Sequence, residues 1–304
     1  MSYQIVSFYR FTPFSKSNLK KIHTELMTKR KEKEIVGLIL LSKEGINATL
    51  SGKKESIDTY LGILEQVTHI NDFFYKKSPS SIPAFKQLRI KIKKEIITFG
   101  KKEVSADFGF HNLEPDEWES MLNEKQVTVL DIRNDYEVEV GQFKKAKALG
   151  LKEFSEFPQK IKSATLPKEQ KTLLYCTGGI RCEKAIIEMR KQGFKELYQL
   201  KGGILNYLKL FPNSWFEGEC FVFDHRVAVD QKLTPSQKYS LCPHCGQAAA
   251  EPIHCVHCGK KTKVCKHCLK KQISYLKTCT KNCAYHFRMG HKCKTGKTNT
   301  NELT

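Results

Sequence analysis

Nine of the twelve cysteines lie between Cys242 and Cys293, and eight of these form four close pairs: Cys242 and Cys245, Cys255 and Cys258, Cys265 and Cys268, Cys279 and Cys283. Two cysteines three or four positions apart let one tight turn aim two thiolates at a single ion, with metal–sulfur bonds of about 2.3 Å. Pro243, Gly246 and Gly259 supply such turns. Eight ligands complete two all-cysteine tetrahedral sites, so residues 235–290 are expected to fold around structural Zn2+, two ions in all. An iron–sulfur cluster is the lesser alternative, because four regular knuckles suit closed zinc sites better. Spacing leaves the pairing open: adjacent pairs and a crossed arrangement both work. His244, His257 and His267 read as surface donors rather than ligands, and Cys293 as unliganded. The opening MSYQIVSFYRF lacks a secretory leader, and no apolar run approaches the roughly 18 residues of a membrane span. A cytoplasmic protein with reduced thiols is the expectation.

The formal net charge is +20. From Lys232 to Thr304 there are 14 Lys and Arg against Glu251 and Glu302, so +12 of that charge sits in the last 73 residues. Such asymmetry fits a polyanion partner bound through phosphate neutralisation. Lys260, Lys261, Lys263, Lys266, Lys270 and Lys271 interleave with the knuckles as candidate phosphate contacts. Tyr275, Tyr285 and Phe287 are candidates for stacking on unpaired bases. The tail 291–304 is basic and polar and reads as disordered.

Upstream, two segments differ in period. Residues 1–105 alternate as β-α-β-β-α-β: Tyr3–Phe11, Ser15–Lys31, Glu34–Leu41, Ile46–Ser51, Lys54–Val67, then Leu88–Ile92 continued by Ile96–Phe99. That order predicts a ferredoxin-like (acylphosphatase-like) α+β domain. Residues 112–218 switch to short apolar strands, Val127–Ile132, Thr172–Cys176 and Glu196–Leu200, alternating with helices. The first helix opens at Glu114-Pro115, another spans Glu183–Gln192, and the last starts at Gly202-Gly203. This predicts an α/β domain with a parallel sheet. The whole is a multidomain α/β and α+β chain.

The strongest chemical signal is Tyr175-Cys176-Thr177-Gly178-Gly179-Ile180-Arg181-Cys182. A cysteine at the C-terminal tip of a parallel strand sits where such folds place ligands. Gly178 and Gly179 let the loop curl with its N–H groups inward as an anion-binding nest. The following helix N-terminus and Arg181 add positive potential, so the Cys176 pKa should fall. Cys182 reads either as a resolving thiol or, preferably, as a cysteine packed inward.

Cys176-x-x-Gly179-x-Arg181 resembles the active loop of rhodaneses, and Asp131-x-Arg133 followed by Glu137 and Gly141 resembles their upstream signature, which supports that loop. Gln142 departs from the histidine found there in many rhodaneses. Five stretches in order, Glu44–Ala48, Asp131–Val140, Tyr175–Ala185, Lys201–Tyr207 and Asn213–Asp230, extend the resemblance to about residue 285. They are similar to the bacterial tRNA uridine(34) hydroxylases, rhodanese-related enzymes. The resemblance implies hydroxylation of the wobble uridine to 5-hydroxyuridine, with O2 as co-substrate and the tRNA anticodon loop as partner. Cys176 would be the essential residue, and Arg181 with Thr177, Gly178, Gly179 and Ile180 would hold the anion. The residues by themselves leave two rivals: a sulfurtransferase carrying a Cys176 persulfide, and a tRNA-binding redox sensor.

Overall fold

The computed structural model describes residues 3–29, 34–100 and 111–293. The end of the first expected domain (101–105) and nearly all of the expected disordered tail (294–304) lie outside the described residues. The chain divides into two compact units, one running to Asp224 with Val229–Pro235, the other made of His225–Ala228 and the residues from Ser236 onward. The two upstream modules thus share one unit. No helix among the described residues is long and apolar enough to cross a membrane.

The N-terminal module contains β1 (Tyr3–Phe11), α1 (Lys16–Lys29), β2 (Ile35–Ser42), β3 (Gly45–Gly52), α2 (Lys54–Thr68), β4 (Lys76–Ser80) and β5 (Leu88–Ile92), with sheet order β4-β1-β3-β2-β5. Leu19, Ile22 and Leu26 of α1 and Ile57, Tyr60, Leu61 and Leu64 of α2 recur at helical spacing and pack with Val6, Phe8, Ile39 and Leu50 in one core. The expected ferredoxin-like order is present, with one correction. Its last strand is Lys76–Ser80, antiparallel to β1, whereas Leu88–Ile92 is an additional strand parallel to β2 at the opposite edge. Ile96–Phe99 forms no strand. Lys-Lys-Ser-Pro-Ser carries no apolar alternation because an edge strand is held by main-chain pairing alone on one side and tolerates Pro.

The second module contains β6 (His111–Leu113), α3 (Pro115–Met121), β7 (Val127–Asp131), α4 (Asp135–Val138), β8 (Gly141–Phe143), β9 (Lys147–Ala148), α5 (Phe157–Ser163), β10 (Lys171–Tyr175), α6 (Ile180–Lys191), β11 (Leu197–Leu200), α7 (Gly203–Leu210) and β12 (Phe216–Gly218). Its five-stranded sheet, β6-β11-β10-β7-β9, is parallel throughout. Successive strand residues point to opposite faces. Val129, Leu173 and Tyr175 pack with Trp118 of α3 and Tyr207 of α7, while Leu130, Leu174 and Cys176 pack with Ile161 of α5 and Ile186 of α6.

Buried Lys184 of α6 joins the two modules. Its ammonium donates to Glu44 Oε1 (3.0 Å), Glu95 Oε1 (3.2 Å) and the Ile97 carbonyl (3.0 Å). Phe99 packs on Phe154 with the rings tilted by 36° and their centroids 4.9 Å apart.

In the second unit the hairpin Glu251–His254 with Lys261–Val264 and the helices Lys266–Lys270 and Lys281–Arg288 surround a small core of Cys242, Ala249, Val264, Cys265, Cys268 and Leu276.

Candidate active site

β10 ends at Tyr175, which places Cys176 at the C-terminal tip of the sheet's central strand, between β7 and β11. The loop that follows is shaped from behind by α7. Ile204 N–H donates to the Cys176 carbonyl (3.1 Å) and Leu205 N–H to the Thr177 carbonyl (3.2 Å). At Gly203 a Cβ would lie 2.4 Å from the Cys176 carbonyl oxygen, so this approach requires glycine. With its carbonyls turned outward, the loop directs N–H groups at the sulfur. Gly179, at φ +97°, donates to Cys176 Sγ at 3.1 Å.

Burial alone drives the Cys176 thiol pKa upward. A hydrogen bond from the Cys182 thiol, the Arg181 charge and the N–H groups of Arg181 and Gly178 outweigh it and bring Cys176 down to about 5. Cys182 is itself buried, and its pKa is pushed well up by burial and by the neighbouring Cys176 sulfur, so it stays a protonated donor. The inward-packed reading of Cys182 thus describes its position, and the hydrogen bond adds a role that the sequence did not suggest.

Arg181 is engaged rather than open. Its guanidinium makes a bidentate pair with Glu137, both bonds 2.6 Å, and the two side chains are 4% and 0% exposed. It biases Cys176 through its field and steadies the loop, with Thr177 Oγ1 3.4 Å from the same pair. Asp131 and Arg133 lie beneath. Arg133 donates to Asp131 (2.6 Å) and to the Gly141 carbonyl (2.6 Å), and the Tyr175 hydroxyl donates to Asp131 (2.6 Å). This buried pair locks the end of β10 to the segment that carries Glu137. Ile180 is the first residue of α6. Gln142, the departure from the usual histidine, sits in β8 opposite Glu217 of β12, between Gly141 and Phe143, whose main-chain groups meet Arg133 and the Tyr175 hydroxyl.

Three residues of the N-terminal module also reach the loop, and sequence reasoning missed all of them. The Tyr9 hydroxyl donates to Glu183 Oε1 at 2.6 Å. Burial raises the Glu183 carboxyl to about 7, against the pull of the Tyr9 hydrogen bond and of Arg10. Lys76 Nζ lies over the Tyr9 ring, 5.2 Å from its centroid, and burial lowers its pKa to about 8. Phe74, 40% exposed, borders Gly202. Phe223, 60% exposed, lies 5.8 Å from the Arg181 guanidinium. None of these stands in a recognisable pattern.

The paired cysteines assemble in the crossed arrangement. Cys242, Cys245, Cys265 and Cys268 form one cluster and Cys255, Cys258, Cys279 and Cys283 the other, the sulfurs of each within 4.8 Å of one another. Sulfur–sulfur separations include 3.4 Å (Cys245–Cys265) and 3.9 Å (Cys242–Cys268) in the first, and 3.6 Å (Cys258–Cys279) and 3.5 Å (Cys279–Cys283) in the second. A tetrahedron with bonds of about 2.3 Å has edges of roughly 3.8 Å, so both clusters suit one metal ion each. The knuckle turns close through Gly246 N–H to the Cys242 carbonyl (2.9 Å) and Gly259 N–H to the Cys255 carbonyl (2.8 Å). His244, His257, His267 and Cys293 belong to neither cluster.

Of the candidate phosphate contacts, Lys260, Lys261, Lys270 and Lys271 are exposed. Lys266 is exposed but approaches Glu251 at 3.8 Å. Lys263 donates to the Gln237 and Lys238 carbonyls (2.9 and 2.8 Å) and so braces the unit. Tyr285 and Phe287 are exposed, whereas Tyr275 packs against the small core beneath Arg288.

Family models match in succession: a "UPF0176 acylphosphatase like domain" over residues 3–96, a "Rhodanese-like domain" over 114–210 and a "Rhodanase C-terminal" region over 217–297. The chain is 42% identical over 289 residues to a tRNA uridine(34) hydroxylase of Bdellovibrio bacteriovorus, covering 94% of this chain and 81% of that one. It is 37% identical over 280 residues to the tRNA uridine(34) hydroxylase of Wolbachia pipientis wMel, covering 91% of this chain and 100% of that one. A third protein of that name, from a Picosynechococcus strain, is 41% identical over 247 residues, with 80% and 82% covered. Similarity of this extent, spanning both modules around Cys176 and the cysteine clusters, means that the chain belongs to the tRNA uridine(34) hydroxylase family.

Proposed function

We propose that this protein hydroxylates uridine 34 of tRNA to 5-hydroxyuridine, with Cys176 as the nucleophile. The observation that carries this reading is a buried cysteine, lowered to about 5, in a nest of N–H groups at the tip of β10, within a chain whose relatives share that activity's name along most of its length. C5 of uracil is a poor nucleophile until a group adds at C6. The thiolate forms the S–C6 bond, the ring electrons move toward C4–O4, and C5 becomes electron-rich enough to accept an oxygen atom derived from O2. Loss of the C5 proton and departure of the thiolate then restore the ring. The second oxygen atom leaves as water at the expense of two electrons from an external reductant.

The clusters Cys242/Cys245/Cys265/Cys268 and Cys255/Cys258/Cys279/Cys283 fit structural Zn2+, which would hold the second unit together and supplies no chemistry to the uracil. Lys260, Lys261, Lys270 and Lys271, with Tyr285 and Phe287, are the surface suited to the anticodon arm. A cytoplasmic site of action follows from a tRNA substrate. The test is mass spectrometry of tRNA nucleosides from cells with and without the gene. 5-Hydroxyuridine should vanish in its absence and return with the wild-type chain. Unchanged 5-hydroxyuridine, together with efficient turnover of thiosulfate by the purified protein, would establish the sulfurtransferase instead.

A further inference from the structure

Among the described residues, Lys76 is the one cationic side chain whose charged atom is buried with no hydrogen-bond partner. It stands at the start of β4, opposite Ser7 of β1. Its ammonium lies 5.2 Å from the Tyr9 ring centroid and 5.6 Å from that of Phe74. Aromatic faces hold an ammonium without neutralising it. It is also aimed at the Cys176 loop: a Cβ added to Gly178 would lie 3.4 Å from Lys76 Cε and 4.0 Å from Nζ. The nearby carboxylate, Glu183, is taken by the Tyr9 hydroxyl. Burying an unpaired ammonium is costly, and such a group persists where something else uses its charge. The direction of its pKa agrees, since burial lowers it while the charges of Cys176 and Glu183 pull it back up.

We infer that Lys76 is a catalytic residue supplied by the N-terminal module, whose ammonium receives the negative charge that moves onto uracil O4 when the Cys176 thiolate adds to C6. This rests on the role of Cys176 given above. In that step the S–C6 bond forms, the C5=C6 π pair becomes the C4=C5 π pair, and the C4=O4 π pair becomes a lone pair on O4. The charge of the thiolate arrives on O4, and no proton or electron enters or leaves. The two modules then divide the work, one providing the thiolate and the other the counter-charge. Phe74 and Tyr9 keep that counter-charge free of a carboxylate, which would cancel it.

The test uses the full chain with Lys76→Met, which keeps length and packing but removes the charge, and Lys76→Arg, which keeps the charge. Each is expressed in cells lacking the gene, beside wild type and Cys176→Ser. One charge-receiving donor is worth about 10²–10³ in rate. Lys76→Met should therefore drop 5-hydroxyuridine to background, with tRNA affinity within about threefold of wild type and a melting temperature equal or higher, since a buried unpaired charge is gone. Lys76→Arg should restore part of the modification. Near-normal 5-hydroxyuridine in Lys76→Met would overturn the proposal, as would a fall in melting temperature (a structural role) or a parallel loss of tRNA affinity (a phosphate contact). If Cys176→Ser keeps the modification, the reading of the site itself fails. If only Lys76→Met keeps it, Lys76 alone is wrongly assigned.

Discussion

Replacing Cys182 with alanine isolates one contribution to the ionisation of Cys176. The Cys182 thiol is the leading favourable cause, after the opposing effect of burial, of a Cys176 pKa near 5. Hydrogen bonds to charged groups contribute about 1.5–3 kcal/mol, and a thiol is a weak donor, so the low end applies. At 1.36 kcal/mol per tenfold change, about 1.5 kcal/mol moves the midpoint of Cys176 ionisation up by roughly one pH unit. The protein remains folded, because the change removes one sulfur from a core of about fifteen side chains, at a cost on the order of 1 kcal/mol. The assay is the 13C resonance of the Cys176 β-carbon in cysteine-labelled protein, assigned with Cys176→Ser and titrated between pH 4 and 9. Wild type should titrate near 5, leaving the thiolate dominant at pH 7, and Cys182→Ala should titrate roughly one unit higher. An unchanged or lower midpoint in Cys182→Ala would refute the hydrogen bond as the cause, and a wild-type midpoint above 7 would refute the nest. Linkage has a definite sign here. Because the folded value lies below the ordinary 9.0, ionisation of Cys176 adds stability that is fully present above about 9 and is lost as pH falls toward 5.

Glu137→Gln strips the buried Arg181 guanidinium of its carboxylate and should cost about 3–5 kcal/mol in chemical denaturation; Cys176 should not become less acidic, since the Arg181 charge is then less cancelled. Purified protein should contain close to two equivalents of zinc by elemental analysis, and strong chelators should release them with loss of the second unit's structure, read by amide exchange; zinc-free protein that keeps this structure would contradict the site reading. Changing Lys260, Lys261, Lys270 and Lys271 together to Gln should reduce the slope of log affinity for tRNA against log salt by roughly three if all four meet phosphates, while an unchanged slope would move the tRNA surface elsewhere.

What the sequence revealed and what it concealed have separate physical causes. Cys176 was legible because the reason for its acidity, a glycine-rich turn between strand and helix, lies within six consecutive residues. The α/β module was legible because strands buried on both faces are continuously apolar. Lys76 was not, because β4 is an edge strand whose polar sequence shows no period, and only the β1–β4 register brings it beside the Cys176 loop. The crossed cysteine pairing was hidden for a related reason. It follows from the hairpin Glu251–His254 with Lys261–Val264, which carries Cys265 and Cys268 back toward Cys242 and Cys245. The partner of Arg181 was present in the signature as Glu137, but nothing in spacing alone shows that α4 turns that carboxylate onto the guanidinium.

Attack of the Cys176 thiolate on the wobble uracil can be trapped with tRNA containing 5-fluorouridine. With fluorine at C5 there is no C5 proton whose loss expels the thiolate: once an oxygen atom is added, fluoride leaves as C5=O forms, and the C6–S bond remains. Protein purified under denaturing conditions from cells fed 5-fluorouracil, then digested with nuclease and protease, should carry a uracil nucleotide, fluorinated if trapped before oxygen transfer and defluorinated if after, on the peptide containing Cys176, and Cys176→Ser protein should carry none. An adduct on another residue, or none at all while 5-hydroxyuridine formation on normal tRNA continues, would contradict it.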